Sequence, residues 1–224
     1  MKQNKTVGVV LSGCGYLDGS EVHEAVLTLL HLDRAGAEVA CFAPRGVQRH
    51  VVDHLTGEPV AGATRDVLQE AARIARGRIR ELGEARAQDL DALVLPGGYG
   101  AAKNLSDFAT RGAEGEANPV LTRLLRAMHA AGKPIGVICI APAVLAMALR
   151  GSTVPAKLTI GDDAGTASAL GAMGCVHEAC GVTDFVVDTA NKIVSTPAYM
   201  FDARIRDVSA GIEKLVGAVL ELAR

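Results

Sequence analysis

The sequence lacks the features that mark several classes of protein. It has no large excess of either charge, because 23 basic and 25 acidic residues give a formal net charge of -2, and such a balance does not favour a nucleic-acid partner or an acidic membrane. It has no internal repeat, low-complexity tract or linker. Thr6–Leu11 is too short for a signal-peptide core or a membrane span. We therefore expect one cytoplasmic domain, residues 1–224, that binds neither nucleic acid nor membrane.

The cysteines also lack the patterns of metal and disulfide sites. They form an odd set of five, without a Cys-x-x-Cys pair and without the ligand spacing of zinc sites: Cys14, Cys41, Cys139, Cys175 and Cys180. We therefore expect free thiols and no metal.

What the sequence does contain is an alternation of strand-length apolar runs with helix-length amphipathic segments. This alternation is typical of a mostly parallel sheet with helices on both faces. The predicted strands are Thr6–Leu11, Glu38–Ala43, Ala92–Leu95, Pro134–Cys139 and Lys157–Ile160. A hairpin is predicted near the end of the chain, with Phe185–Asp188 and Lys192–Thr196 on either side of its turn.

Helix signals lie between these strands. The first helix is predicted to have Asp18 as its N-cap, with Glu21 three residues later, and to end at Gly36. Its apolar stripe consists of Val22, Ala25, Val26, Leu29 and Leu32. Further helices are predicted over Thr64–Arg76, from the Asn118-Pro119 cap to Gly132, from Ala141 to Arg150, over Gly165–Met173 and from about Ala203 to Leu222.

The segment Val47–Val60 interrupts this pattern. It contains Gly57 and Pro59, which predict an irregular or hairpin insert between core elements. Its expected role is that of a lid or a dimer contact.

Cys139 is the first candidate for chemistry. It ends an apolar strand and is followed by small residues and Pro142, which indicates a sharp turn into a helix. Such a turn presents a side chain at the carboxyl edge of the sheet, where the helix N-terminus favours the nucleophilic thiolate. A cysteine that merely fills a buried strand explains the same pattern equally well.

A glycine-rich strand end supplies the second candidate. The segment from Leu95 to Gly100 leaves backbone amides unobstructed, as an oxyanion hole requires, although a plain tight turn explains it equally well. Asn104, shortly after it, is a candidate for orienting a substrate or for capping a helix. Cys14 is expected at the same edge of the sheet, either as a second thiol near the site or as a packed loop residue.

Taken together and in this order, these segments resemble the ThiJ/PfpI superfamily of class I glutamine-amidotransferase-like α/β proteins, and within it the ElbB type. The resemblance spans nearly the whole chain and rests on Ser12 to Gly15, Asp18 to Ala25, Cys41 to Pro44, His54 to Glu58, Pro96 to Asn104, Cys139 to Pro142, Leu158 to Gly161 and Thr196 to Met200. It implies a flavodoxin-like three-layer sandwich with a mostly parallel central sheet, and we expect a homodimer.

The resemblance also implies that Cys139 is a nucleophile with a first-helix glutamate beside it. Glu24 is our choice, because it lies twelve residues before Gly36, the spacing usual for the superfamily's thiol-paired carboxylate. Glu21 is the alternative, and a helical wheel favours it by placing Glu24 almost opposite the buried stripe. Helix-start electrostatics alone explains either carboxylate. The useful partner is a protonated glutamate, since an ionised one would raise the pKa of the thiol.

The sequence departs from the hydrolytic members of the superfamily at one position. Many of them have histidine directly after the cysteine, whereas this chain has Ile140, which argues against peptidase and glutaminase activity. No histidine has a spacing that marks it as a substitute, and each is better explained as a surface or internally bonded residue: His23, His31, His50, His54, His129 and His177.

The activity that the resemblance implies is that of a glutathione-independent glyoxalase acting on small dicarbonyls such as glyoxal, or of a protein deglycase, without metal or organic cofactor. In this hypothesis Cys139 adds to an aldehyde, the amides of Gly98 and Ile140 hold the oxyanion, and Glu24 moves a proton between adjacent carbons. Contacts with the substrate or around the site are expected from Glu21, Gly97, Cys14 and Asn104.

The same residues are compatible with two further classes of function. One is a redox-sensing or stress-associated binding protein in which Cys139 is oxidised. The other is an accessory amidotransferase-like subunit in isoprenoid or other small-molecule biosynthesis.

Overall fold

The computed structural model describes residues 4–151 and 155–224. Its helices and strands follow one another as β1 (Thr6–Val10), α1 (Val22–Arg34), β2 (Glu38–Ala43), α2 (Val67–Ile74), β3 (Ile79–Glu81), β4 (Ala92–Leu95), α3 (Tyr99–Lys103), α4 (Phe108–Arg111), α5 (Pro119–Ala130), β5 (Ile135–Ile138), α6 (Ala141–Ala148), β6 (Lys157–Leu158), α7 (Ala164–Ala172), β7 (Val176–His177), β8 (Val186–Asp188), β9 (Ile193–Thr196) and α8 (Ile205–Leu222). None of these helices is both long and apolar enough to cross a membrane.

One central sheet organises the described residues. Its strands lie in the order β3-β2-β1-β4-β5-β9-β8, all parallel except β8, which pairs antiparallel with β9. This arrangement confirms the predicted mostly parallel sheet and the predicted hairpin. The strand order reverses at β1 and β4, and open α/β sheets bind ligands outside the carboxyl ends of strands at such a point.

Two apolar cores, one on each face of the sheet, make the fold a three-layer sandwich. Successive side chains of a strand point to opposite faces, so Val9 of β1 packs into the core beneath α1 and α8, while Val10 packs into the core beneath α5 and α6. The short strands β4 and β5 are buried throughout. The sandwich therefore holds the carboxyl ends of β1, β4 and β5 rigidly next to one another.

The predicted cap of α5 is confirmed, whereas that of α1 is wrong. Asn118 Oδ1 accepts a hydrogen bond from Val120 N–H at 2.9 Å, and Pro119 occupies the first turn. Helix α1, in contrast, begins after Glu21, not after Asp18. Asp18 lies in the preceding loop, where its carboxylate accepts a hydrogen bond from Val52 N–H in the insert that follows β2.

The buried face of α1 also differs from the predicted apolar stripe. Val26 is 47% exposed, whereas Glu24, Thr28 and His31 are buried. Burial of these polar residues is tolerated because they have partners: Thr28 Oγ1 donates to Glu24 O at 2.7 Å, and His31 Nε2 lies 3.0 Å from Ser209 Oγ of α8. The helical wheel therefore assigned Glu24 to the wrong side.

The insert Val47–Val60 is a hairpin that packs on the loop after β1. Val60 N–H donates to Val51 O at 2.8 Å within the hairpin. Val52 N–H donates to Asp18 Oδ2, also at 2.8 Å, which fixes Asp18 in the loop. Leu55 at the tip is 98% exposed.

Candidate active site

Cys139 occupies a sharp turn between β5 and α6. Its φ of 60° lies in the left-handed region, which is uncommon for residues other than glycine. Its N–H donates to Thr196 O at 2.9 Å, and Ile140, the next residue, is the N-cap of α6. The chain thus has the predicted strand-turn-helix geometry, with the thiol at the carboxyl edge of the sheet.

Glu24, and not Glu21, contacts this thiol. The Glu24 carboxyl is fully buried and faces the Cys139 side chain closely enough for each group to shift the pKa of the other. Its Oε2 accepts from Gly97 N–H at 2.9 Å and its Oε1 accepts from Tyr199 N–H at 3.2 Å. Glu21 instead caps α1, where its Oε2 accepts from Glu24 N–H at 2.7 Å.

Two backbone amides also converge on the sulfur. The N–H groups of Gly98 and Ile140 lie near enough to the Cys139 side chain to lower the pKa of its thiol, and they are the two amides that we expect to form an oxyanion hole. Only glycine fits at position 98, since φ is 91° and a Cβ would lie 2.3 Å from Glu21 N. Gly97 is equally confined, because a Cβ there would lie 2.5 Å from Cys139 Cβ.

Burial shifts the ionisation of Glu24 strongly. Loss of hydration, assisted by the negative charge of Glu21, raises the pKa of Glu24 from 4.5 to about 8. The hydrogen bonds from the Tyr199 and Gly97 amides act in the opposite direction but are weaker. Glu24 is thus mainly protonated at neutral pH, which is the state expected of a useful partner for the thiol.

Burial also raises the pKa of the Cys139 thiol well above its ordinary value. The charge of Glu24 in its ionised form adds to this increase, while the amides of Gly98 and Ile140 oppose it. The prediction that the turn favours a thiolate is therefore wrong for the resting site, because desolvation outweighs the amide donors. Ionisation of the sulfur requires that its proton be taken up nearby, and Glu24 is the adjacent acceptor.

A cavity of about 390 Å³ opens onto Cys139. Its walls combine aromatic, small and acidic residues: Tyr16, Glu21, Gly98, Tyr99, Ala102, Phe108, Ala109, Cys139, Ile140, Asp163, Thr166, Tyr199 and Met200. All three tyrosines of the chain are among them. These tyrosines were not among the predicted site residues, although the scarcity of aromatic residues, 3% of the chain, was a usable signal.

Two predicted neighbours of the site lie outside this cavity. Asn104 Nδ2 donates to Ser12 O at 2.8 Å and to Asp18 O at 2.9 Å, so its side chain joins loops. Cys14 lies among charges on the α2 side, including Glu70, and burial raises the pKa of its thiol. Neither residue is placed to touch a substrate at Cys139.

The described cavity walls contain neither the segment that was predicted as a lid nor a histidine that could act in place of the one missing at Ile140. No residue of Val47–Val60 and no histidine lines the cavity within residues 4–151 and 155–224, so the lid expectation is wrong. His23 contacts the wall from outside, with Nδ1 2.9 Å from the Tyr199 hydroxyl oxygen. A dimer contact through the hairpin stays a prediction.

A wider cavity of about 770 Å³ lies at the opposite, amino edge of the sheet, next to Cys41. Burial raises the pKa of Cys41 to about 11, and no other group among the described residues contributes to this shift. In the part of the chain that the structure describes, no three His, Cys, Asp or Glu side chains are grouped so as to hold a metal ion. The chemistry-bearing groups therefore meet at Cys139.

Comparison with known proteins gives this geometry a family. A model of the DJ-1/PfpI family matches residues 15–201. The human glutamine amidotransferase-like class 1 domain-containing protein 3, mitochondrial, is 47% identical over 96% of this chain and 82% of its own length. The zebrafish (Danio rerio) ES1 protein, mitochondrial, is 33% identical over 98% of this chain and 86% of its own.

A solved structure agrees over the whole fold. The isoprenoid biosynthesis protein with amidotransferase-like domain from Ehrlichia chaffeensis superposes with a TM-score of 0.92 at 39% identity, covering 98% of this chain and 100% of that one.

These findings correct one expectation and confirm another. The expected cytoplasmic location is wrong, since the human and zebrafish relatives are both named as mitochondrial proteins. The flavodoxin-like sandwich and the resemblance to the ThiJ/PfpI superfamily are confirmed by the match over most of the chain. This chain belongs to the DJ-1/PfpI family.

Proposed function

We propose that the protein is a cofactor-independent glyoxalase that converts glyoxal to glycolate with Cys139 as nucleophile. The observation that carries the proposal is the contact between the Cys139 thiol and the buried carboxyl of Glu24, whose pKa is raised to about 8. A general acid–base works best when its pKa lies near the operating pH. Glu24 can therefore both take and return a proton at neutral pH.

The first step is addition of sulfur to one aldehyde carbon. The ionised fraction of Glu24 accepts the thiol proton as the S–C bond forms, which overcomes the high pKa of Cys139. The developing alkoxide is held by the N–H groups of Gly98 and Ile140. Return of the proton from Glu24 to this oxygen gives a neutral hemithioacetal and regenerates the carboxylate.

The second step is an internal redox exchange between the two carbons. Glu24 removes the C–H proton of the hemithioacetal carbon and delivers a proton to the neighbouring carbonyl carbon, through an enediolate. The first carbon is thereby oxidised to a thioester and the second is reduced to a hydroxymethyl group. Water then cleaves the thioester, releases glycolate and a proton, and restores the thiol. No external oxidant or reductant enters the balance.

An amidotransferase function is less well supported. The Ehrlichia chaffeensis relative is titled an isoprenoid biosynthesis protein with an amidotransferase-like domain. Glutamine carries a carboxylate, however, and the described cavity wall has carboxylates but no Lys, Arg or His. Ile140 also stands where hydrolytic members have histidine.

A redox sensor and a deglycase would each depend on the same cysteine. A redox sensor needs an easily oxidised thiolate, which the raised pKa of Cys139 disfavours. Deglycase action would use the same addition chemistry on a larger adduct, and the cavity is large enough to admit one.

We also propose that the protein is a homodimer, which a measurement of its mass in solution by light scattering tests.

Kinetics on glyoxal test the glyoxalase proposal. Cys139→Ala should abolish glycolate formation, and Glu24→Gln should lower kcat by about 100-fold or more, since the loss of a positioned acid–base costs about that much. The measurement is glyoxal consumption together with glycolate formation by NMR.

Matched controls separate chemistry from folding. Cys175→Ala and Glu70→Gln change a thiol and a buried carboxyl outside the cavity, and both should retain the wild-type rate. If Cys139→Ala or Glu24→Gln turned over glyoxal as fast as these controls while remaining folded by circular dichroism, the proposed mechanism would be excluded.

A further inference from the structure

The charged residues that line the cavity are of one sign. Glu21 and Asp163 are on its wall, whereas no lysine, arginine or histidine lines it among the described residues. A cavity with walls of one sign and low-dielectric surroundings concentrates the opposite charge. The cavity at Cys139 therefore attracts cations and repels anions.

Both carboxylates are fixed in place by hydrogen bonds. Asp163 caps α7, where its Oδ1 accepts from Thr166 N–H at 2.7 Å, and this bond lowers its pKa. Glu21 caps α1 through its bond with Glu24 N–H. Because these capping bonds hold each group at the wall, both acidic side chains are part of the site.

Aromatic rings share the cavity wall with the two carboxylates. Tyr16, Tyr99, Tyr199 and Phe108 all line the cavity, and aromatic faces together with carboxylates are what proteins use to bind ammonium and quaternary ammonium groups. Tyr99 already contacts one cation: Lys103 Nζ lies 5.1 Å from its ring centroid. That ammonium donates to Leu17 O at 3.0 Å, and Lys103 does not itself line the cavity.

The cavity is also larger than the proposed reaction requires. Its volume of about 390 Å³ falls in the range of sites that enclose much larger ligands than glyoxal. Room is therefore left beside Cys139 for a substituent on the reacting carbonyl compound.

We propose that the preferred substrates of this site are carbonyl compounds that carry an ammonium or quaternary ammonium group, and that carboxylate-bearing carbonyl compounds are excluded. The reaction of such compounds rests on the proposed function, whereas the preference for a cation is a property of the cavity. Glu21 and Asp163 are then specificity-determining residues that select charge without touching the sulfur.

Charged thiol reagents measure this preference without any turnover. Methanethiosulfonates with a trimethylammonium, a neutral methyl or a sulfonate substituent all react alike: the Cys139 thiolate attacks the sulfenyl sulfur, methanesulfinate leaves, and a mixed disulfide forms. Rates at Cys139 are followed by peptide mass mapping and divided by the rates with a small free thiol. The cationic reagent should react roughly tenfold or more faster than the anionic one after this correction, as expected for two nearby carboxylates.

Charge variants identify the groups responsible. In Glu21→Gln/Asp163→Asn the ratio of cationic to anionic rates should fall close to that of the free thiol. The control Asp33→Asn/Glu38→Gln removes the same net charge at the distant cavity next to Cys41 and should keep the wild-type ratio. Equal corrected rates in the wild type, a faster anionic reagent, equal effects of the two double variants, or no reaction of Cys139 with any reagent would each overturn the proposal.

Turnover of glyoxal in the same preparations separates the two proposals. A cation preference without glyoxal turnover would remove the glyoxalase and leave the charge-selective cavity. Turnover of glyoxal without a cation preference would do the reverse.

Discussion

Gly97 connects the buried carboxyl to the start of α1, since its N–H donates to Glu24 Oε2 and its carbonyl accepts from Glu21 N–H at 3.0 Å. A Cβ at this residue would lie 2.5 Å from Cys139 Cβ, 2.7 Å from Glu24 Oε2 and 2.9 Å from Ile138 O. One of these neighbours is backbone and cannot move aside cheaply. The glycine therefore permits the close approach of thiol and carboxyl.

We predict that Gly97→Ala reduces both activity and stability. Overpacking of a tight site costs about 1–3 kcal/mol, which for a chain of this size lowers Tm by roughly 2–4 °C per kcal/mol, and displacement of Glu24 should lower kcat. The matched control is Gly171→Ala in α7, where a Cβ meets nothing within 4 Å and helix propensity favours alanine. If the two variants had equal melting temperatures and rates, Gly97 would not be needed for the close approach.

The residues of the site differ in how far the sequence could predict them. Cys139 followed from the apolar strand that it ends, whereas the resemblance selected Glu24 through its spacing to Gly36 and gave Gly98 and Ile140 their expected role. The helical wheel placed Glu24 on the wrong side because it considers only the polarity of side chains. It does not include the two backbone amides whose hydrogen bonds stabilise the buried carboxyl. The aromatic residues of the wall come from separate segments, since Tyr16 lies in the loop after β1 while Tyr99 begins α3 and Phe108 begins α4. No local pattern connects them.

At the scale of elements, the cavity wall depends on how the loop after β1 is held. Asp18 in this loop accepts from Val52 N–H of the hairpin through Oδ2. Its buried Oδ1 has no hydrogen-bond partner among the described residues and lies 3.9 Å from His54 Nε2 of the hairpin. The same loop carries Tyr16 into the wall. The hairpin Val47–Val60 therefore supports the cavity from behind.

We predict that Asp18→Ala loosens this hairpin locally. Loss of a hydrogen bond to a charged group costs about 1.5–3 kcal/mol, so amide exchange over residues 47–60 should accelerate by roughly one to two orders of magnitude, while β1 keeps its protection. Hydrogen–deuterium exchange with mass spectrometry measures this. Glu58→Ala, an exposed change in the same hairpin, is the control, and equal exchange in the two variants would contradict the bond's role.

Elements with strong local signals were predicted, and several short ones were not. Apolar runs of strand length indicate the strands β1, β2, β4 and β5. Cap residues and apolar periodicity indicate the helix α5. The three-residue strand β3 and the short helices α3 and α4 were missed, because segments of that length carry too few residues for a periodic pattern and owe their form to tertiary contacts.

At the scale of the whole molecule, a buried carboxyl makes folding depend on pH. The pKa of Glu24 rises from 4.5 to about 8 on folding, so between these values the folded chain holds a proton that the unfolded chain has released. Its contribution to stability is fully present below about pH 4.5 and is lost as the pH rises through about 8. His31 acts oppositely at lower pH, since burial lowers its pKa.

We predict that Glu24→Gln removes this pH dependence. At about 1.4 kcal/mol per pKa unit, the wild type should lose on the order of 3–5 kcal/mol relative to the variant between pH 5 and pH 8.5. The amide itself imposes a constant penalty, because its NH2 group accepts no hydrogen bond and leaves either the Gly97 or the Tyr199 N–H without its acceptor. The slope and not the level therefore carries the prediction. The measurement is the free energy of urea unfolding as a function of pH. Both proteins carry Cys139→Ala in addition, because this substitution removes the second titrating group. Parallel stability curves across this range would mean that Glu24 is ionised in the folded protein and does not work as a proton carrier near neutral pH.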